Sequence, residues 1–91
     1  DYEKAIQSSM IAKKYLEQNS YTASSIYCYV MNTLANAYKN WGKGDSAVYY
    51  HKKVLEISIA NKYIIWEAIS NRDLALVYFQ LYHNNEKAMF Y

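Results

Sequence analysis

The pentapeptide Leu34-Ala35-Asn36-Ala37-Tyr38 returns 40 residues later as Leu74-Ala75-Leu76-Val77-Tyr78, so Leu-Ala-x-x-Tyr occurs twice. A second pattern, acidic or amide residues followed by alanine, brackets both copies. It reads Asp1-Tyr2-Glu3-Lys4-Ala5, Asp45-Ser46-Ala47 and Asn84-Asn85-Glu86-Lys87-Ala88, with its alanines 42 and then 41 residues apart. A fixed period of roughly 20–50 residues marks a stacked-repeat architecture. Each unit of such a chain buries its apolar face only against its neighbours, and the stack presents an extended surface suited to binding rather than catalysis.

Working outward from the two pentapeptides, apolar spacing at steps of three and four predicts five helical segments. Two glycines and no prolines leave little punctuation between them, which favours helices joined by short turns. The first helix is expected from about Tyr2 to Glu17, with Ala5, Ile6, Ser9, Ala12 and Leu16 on one stripe and Asp1 at its N-cap. Asn19-Ser20 is a turn. The second is expected from about Thr22 to Asn40, along Ile26, Val30, Leu34, Ala37 and Tyr38, ended by Gly42-Lys43-Gly44. Asp45 is expected to cap the third, which reaches about Asn61 with Ala47, Val48, Tyr50, Val54, Leu55 and Ser58 inward. The fourth covers about Tyr63 to Tyr82 through Trp66, Ile69, Leu74, Val77, Tyr78 and Leu81, and Glu86 to Tyr91 opens a fifth after the turn His83-Asn84-Asn85.

These phased copies resemble the tetratricopeptide repeat. Leu-Ala-x-x-Tyr is similar to that family's Leu-Gly-x-x-Tyr core, and Ala47-x-x-x-His51 to its Ala-x-x-x-Phe step. Ala12 and Val54 follow Ala5 and Ala47 by seven residues, where the family again prefers small side chains. The period near 41 departs from the family's usual value of about 34, Met31 and Asn71 stand where Trp is common, and no proline closes a repeat. The longer period resembles extended-helix members, among them bacterial peptide-sensing regulators and repeat arrays of large signalling proteins. The resemblance implies an all-α fold, antiparallel helix pairs stacked into a right-handed superhelix. It implies a protein- or peptide-binding scaffold from a larger bacterial regulatory or signalling protein. A structural spacer or self-assembly module, or the peptide-sensing part of a transcriptional regulator, are the alternatives.

Composition sets bounds on function. At 91 residues the chain is one domain at most, and its 53% apolar content excludes a disordered tail. Twelve tyrosines suit thin helical layers, because Tyr covers apolar area while keeping a polar tip wet. A net charge of +2, with no like-charge run longer than Lys13-Lys14 and Lys52-Lys53, is too small to hold nucleic acid by its phosphates. Gln18 to Tyr38 carries no charge but contains eight Asn, Ser and Thr residues, too polar for a membrane helix. It reads instead as a helix contacted from two sides. The single cysteine, Cys28, forms no internal disulfide and fits a reducing cytoplasm without requiring one; a periplasmic location stays open.

Catalysis needs a nucleophile, a base and an orienting group together. The candidates are Cys28, His51, His83 and Asp73. His51 reads as a packing residue in a helix seam, His83 as a solvated turn residue and Cys28 as a small buried apolar one beside Met31 and Ala35. No spacing matches a zinc site and no glycine-rich phosphate loop exists, so no cofactor or metal and no enzyme activity is expected. The resemblance places a binding groove on a second stripe of the helices carrying Leu34 and Leu74. Those residues are Tyr29, Asn32, Asn36, Lys39 and Asn40 on one helix, and Ile69, Arg72, Leu76, Phe79 and Gln80 on the other. Side-chain amides both donate and accept, matching a peptide backbone, and Arg72 suits a carboxylate. The order of helices reads as a fragment of a longer array, with self-association through the uncovered repeat ends as a further expectation.

Overall fold

The computed structural model describes residues 1–82. Four helices occupy nearly all of them: α1 (Tyr2–Gln18), α2 (Ser25–Asn40), α3 (Gly44–Asn61) and α4 (Ile64–Tyr82). The expected fifth helix, from Glu86 to Tyr91, and the turn at His83 lie outside the described residues.

Local chemistry explains the boundaries. Asp1 caps α1, its side chain accepting from the Glu3 amide at 3.0 Å. Three helices then close in one way. A residue just past the cap, or in α3 the cap itself, takes a left-handed φ, and the next amide returns to a carbonyl five residues back. Ser20 (φ 63°), Gly42 (φ 82°) and Lys62 (φ 59°) supply the conformation. The closing bonds run from Tyr21 N to Leu16 O (2.8 Å), Lys43 N to Tyr38 O (2.8 Å) and Tyr63 N to Ser58 O (2.9 Å). Only at Gly42 does the sequence carry glycine, the residue that adopts this φ without strain.

Two boundaries differ from expectation. The second helix starts at Ser25, not Thr22, because Ser24 is its cap: Ser24 Oγ accepts from the Tyr27 amide at 3.1 Å and donates to the Tyr21 carbonyl at 2.7 Å. Asp45 does not cap α3. Lys43 holds that position without a side-chain bond, and Asp45 sits inside the first turn, where its charge still favours the helix dipole.

Packing is sequential. α1 lies on α2, α2 on α3 and α3 on α4, while α2 also touches α4. Tyr38, late in α2, stacks on Tyr50, early in α3, at 5.7 Å between ring centroids. The early residue Cys28 meets Ser58 near the end of α3. α2 and α3 therefore run antiparallel, as do α1 and α2, where Leu16 clusters with Tyr27 and Cys28 and Ile6 with Leu34 and Ala37. The result is a slab of 39 × 33 × 15 Å, with α2 and α4 side by side.

The core forms two clusters. Leu16, Tyr27, Cys28, Met31 and Val54 make one; Ile6, Leu34 and Ala37 make the other, against Tyr38 and Tyr50. Leu34 and Leu74, 40 residues apart, are both fully buried, so the pentapeptide repeat is a repeat of environment. The expected inward stripe of α2 holds at Val30, Leu34, Ala37 and Tyr38 but not at its first position. Ile26 is 63% exposed, and Tyr27, Cys28 and Met31 are buried in its place. With α1, α3 and α4 all against α2, its buried surface is wider than a single stripe. Ala5, also expected inward, is exposed, since α1 has a neighbour on one side only.

Candidate functional site

The groove that the resemblance implies draws on α2 and α4, two helices that touch each other. Tyr29 of α2 meets Trp66 of α4 edge-on, with ring centroids 6.4 Å apart and planes at 74°. On α2, Asn32, Asn36 and Lys39 are half-buried and Asn40 is exposed; on α4, Ile69 is half-buried and Arg72, Leu76, Phe79 and Gln80 are exposed. The face thus has an amide wall on α2 and a largely apolar wall on α4, broken by Arg72. The Oδ1 atom of Asn32 is buried and has no hydrogen-bond partner.

Beneath this face lies a polar seam. His51 of α3 is fully buried, as are Ser70 and nearly Asp73 on α4. Both ring nitrogens of His51, Ser70 Oγ and Asp73 Oδ2 lack hydrogen-bond partners. Burial holds the imidazole down to about 4, opposed by the Asp73 carboxylate and reinforced by Lys39 and Arg72. His51 is therefore neutral at pH 7. The other Asp73 oxygen, Oδ1, accepts from Arg72 Nε at 3.1 Å, with Arg72 Nη2 at 3.0 Å.

Repetition explains why these groups converge. A cleft of about 190 Å³ between α1 and α2 is lined by Ser9, Val30 and Thr33 among others. One repeat later, His51, Ser70 and Asp73 stand 42, 40 and 40 residues on from those three. Ser, His and Asp are the residue types of a nucleophilic triad. Here Ser70 is fully buried and lines neither this cleft nor the one below, so the trio is a packed seam rather than an open nucleophilic site.

A second cleft, of about 430 Å³, opens on the opposite side between α1 and α3, floored by Tyr27 and Met31. Lys13 at its rim pairs with Glu17 at 2.9 Å, and Tyr27 Oη donates to the same carboxylate oxygen at 2.7 Å. The Lys13 ammonium, then the Tyr27 phenol, hold the Glu17 carboxyl below its usual range. Burial pushes the Tyr27 phenol well above its own. These charges already satisfy one another. Cys28 is fully buried, and burial raises its thiol, partly opposed by the Ser58 hydroxyl, so it is poorly suited to act as a thiolate.

The sequence marked His51 as a seam residue, and it is fully buried. It missed Ser70, although Ser70 and Asp73, three apart, share one helix face. It also missed that the Asp73 charge acts on His51. Among the described residues no group of three or more His, Cys, Asp or Glu is placed to hold a metal ion. No described helix is long and apolar enough to cross a membrane. Compared with known proteins, the chain matches no family model, no curated protein and no solved structure.

Proposed function

We propose that this chain is a tetratricopeptide-like helical-repeat scaffold of a larger, bacterial-type regulatory protein, and that the α2–α4 face binds an extended segment of protein or peptide. One observation carries the reading. Asn32 holds a buried, unpartnered amide oxygen beside the half-buried Asn36 and Lys39, opposite the exposed Leu76 and Phe79. A buried acceptor without a partner costs about 1–3 kcal/mol, a penalty that a ligand N–H removes once the Asn32 side chain turns its oxygen outward. The apolar wall across the groove adds a surface for the ligand's side chains.

A displayed peptide library panned on the 91-residue chain tests this. Selected peptides should bind less tightly to Asn32→Ala and Asn36→Ala, by about tenfold for each 1.4 kcal/mol lost. Lys14→Ala, an exposed change on α1, should have no effect. Failure to select any peptide, or equal losses for all three variants, overturns the groove and leaves the spacer reading.

A further inference from the structure

α1 and α3 both pack on α2, yet among the described residues their own backbones do not approach each other, whereas α2 and α4 do touch. The wedge left between α1 and α3 is the cleft of about 430 Å³ floored by Tyr27 and Met31. Its size falls in the range of small-molecule sites, roughly 300–1,000 Å³. Aromatic rings form its α3 wall. Tyr49 and Tyr50 stand edge-on, with centroids 5.0 Å apart and planes at 85°. One face of Tyr50 is already covered by Tyr38, stacked at 5.7 Å. A corner of two rings takes a third ring edge-on or offset, with its apolar area over the Met31 floor.

The charges around the cleft differ in what they still need. One oxygen of Glu17 is met by both Lys13 and the Tyr27 phenol, at 2.9 and 2.7 Å, so that pair is already closed. Lys53 is not met in this way. Its Nζ lies 5.6 Å from the centre of the Tyr49 ring, and the Glu56 carboxylate beside it is 3.9 Å away. That is too long for an N–H···O hydrogen bond, which spans about 2.7–3.2 Å. The Glu56 side chain is 71% exposed and that of Lys53 43%, so the acid stands out in solvent and the ammonium nearer the aromatic wall. The open charge beside the rings is therefore a cation.

We propose that this cleft binds an aromatic ring bearing a carboxylate, the ring seated against Tyr49, Tyr50 and Met31 and the carboxylate on Lys53 Nζ. The site uses none of the residues of the α2–α4 face, so it stands whether or not that face binds a peptide. Ring and carboxylate occur together in two sources: a free aryl-alkanoic acid, and the last residue of a polypeptide ending in Phe, Tyr or Trp. A cationic aromatic is disfavoured, because Lys53 repels it and Glu17 is already paired.

Titrating the 91-residue chain with 3-phenylpropionate, followed by two-dimensional NMR, tests the site. Saturable shifts are expected at Met31, Tyr49, Tyr50 and Lys53, with a Kd on the order of 1 mM for one ring and one ionic contact. Propionate and the matching amine, 3-phenylpropylamine, should bind far more weakly. Lys53→Gln should weaken 3-phenylpropionate about tenfold, the value of one charge-assisted hydrogen bond. Lys52→Gln, the same charge change at an exposed neighbour outside the cleft lining, should leave binding unaltered. Tyr49→Leu, at a side chain 55% exposed, should keep the fold and weaken binding. A short peptide ending in Phe separates the sources: an acid peptide tighter than 3-phenylpropionate identifies a polypeptide terminus, a weaker one a free acid, and its C-terminal amide should lose binding. Absence of saturable shifts at the cleft, equal binding of the amine, or a Lys53→Gln variant that binds as the parent does overturns the proposal.

Discussion

The phenol of Tyr63 donates a 2.7 Å hydrogen bond to the carbonyl oxygen of Ala23, 40 residues earlier in the chain. It ties the turn before α4 to the turn before α2, the two points where each Leu-Ala-x-x-Tyr helix begins. Both segments lack regular backbone pairing, so this bond fixes the spacing of the two groove helices at their starts. Tyr63→Phe keeps the ring and removes the bond. The expected loss is about 1 kcal/mol, or a fall in Tm of roughly 4–8 °C for a chain of this size. Thermal unfolding measures it, and an unchanged Tm would show that the turns are held by packing alone.

Ala35 is fully buried between α2 and its neighbours, whereas its repeat equivalent Ala75 is only half-buried. Enlarging a packed position forces backbones apart, at about 1–3 kcal/mol. Ala35→Leu is expected to lower stability by that amount and Ala75→Leu by clearly less. Denaturant unfolding of the two variants checks the difference; equal effects would contradict the asymmetry between the repeats.

Acid should destabilise the fold through His51. Its pKa is lowered to about 4 in the folded state, against 6.5 for the ordinary group. The unfolded chain therefore binds the proton first, and stability is lost as pH falls from about 6.5 toward 4. The full effect is at most about 3 kcal/mol. Glu17, lowered by Lys13 and Tyr27, acts in the same direction at lower pH. Subtracting the pH dependence of a folded His51→Gln variant from that of the parent isolates the histidine. A difference that is flat across this window would remove the buried neutral imidazole from the account.

Self-association by stacking one copy's α4 on another's α1 should be weak. The packing between α2 and α3 relies on Tyr27, Met31, Tyr50 and Val54. The positions one repeat on or back are Glu67, Asn71, Ser8 and Ala12, which are smaller or polar. Exposed Ile11, Tyr15, Ile64 and Ile65 still leave apolar surface at these two helices. Sedimentation is expected to show a monomer at micromolar concentration and association only toward millimolar. A tight dimer at micromolar concentration would require a different surface.

The sequence by itself determined the number of helices in residues 1–82, their phase and the recurrence of one environment every 40 or so residues. Those features rest on short-range physics: apolar spacing at steps of three and four, a capping acid at Asp1 and a glycine at Gly42. Where the signal is equally local but chemically quieter, as at the caps Ser24 and Lys43, helix starts moved by a few residues. Tertiary structure alone decided how widely α2 is buried at its start. A helix contacted by three others has no single apolar face, so Ile26 points out while Tyr27 goes in. It alone brought α2 and α4, a full repeat apart, into contact, with Tyr29 against Trp66. It also brought the Asp73 charge to act on His51. Residues more than twenty apart in sequence meet only through the crossing of α3 and α4, and no local pattern encodes a meeting of that kind.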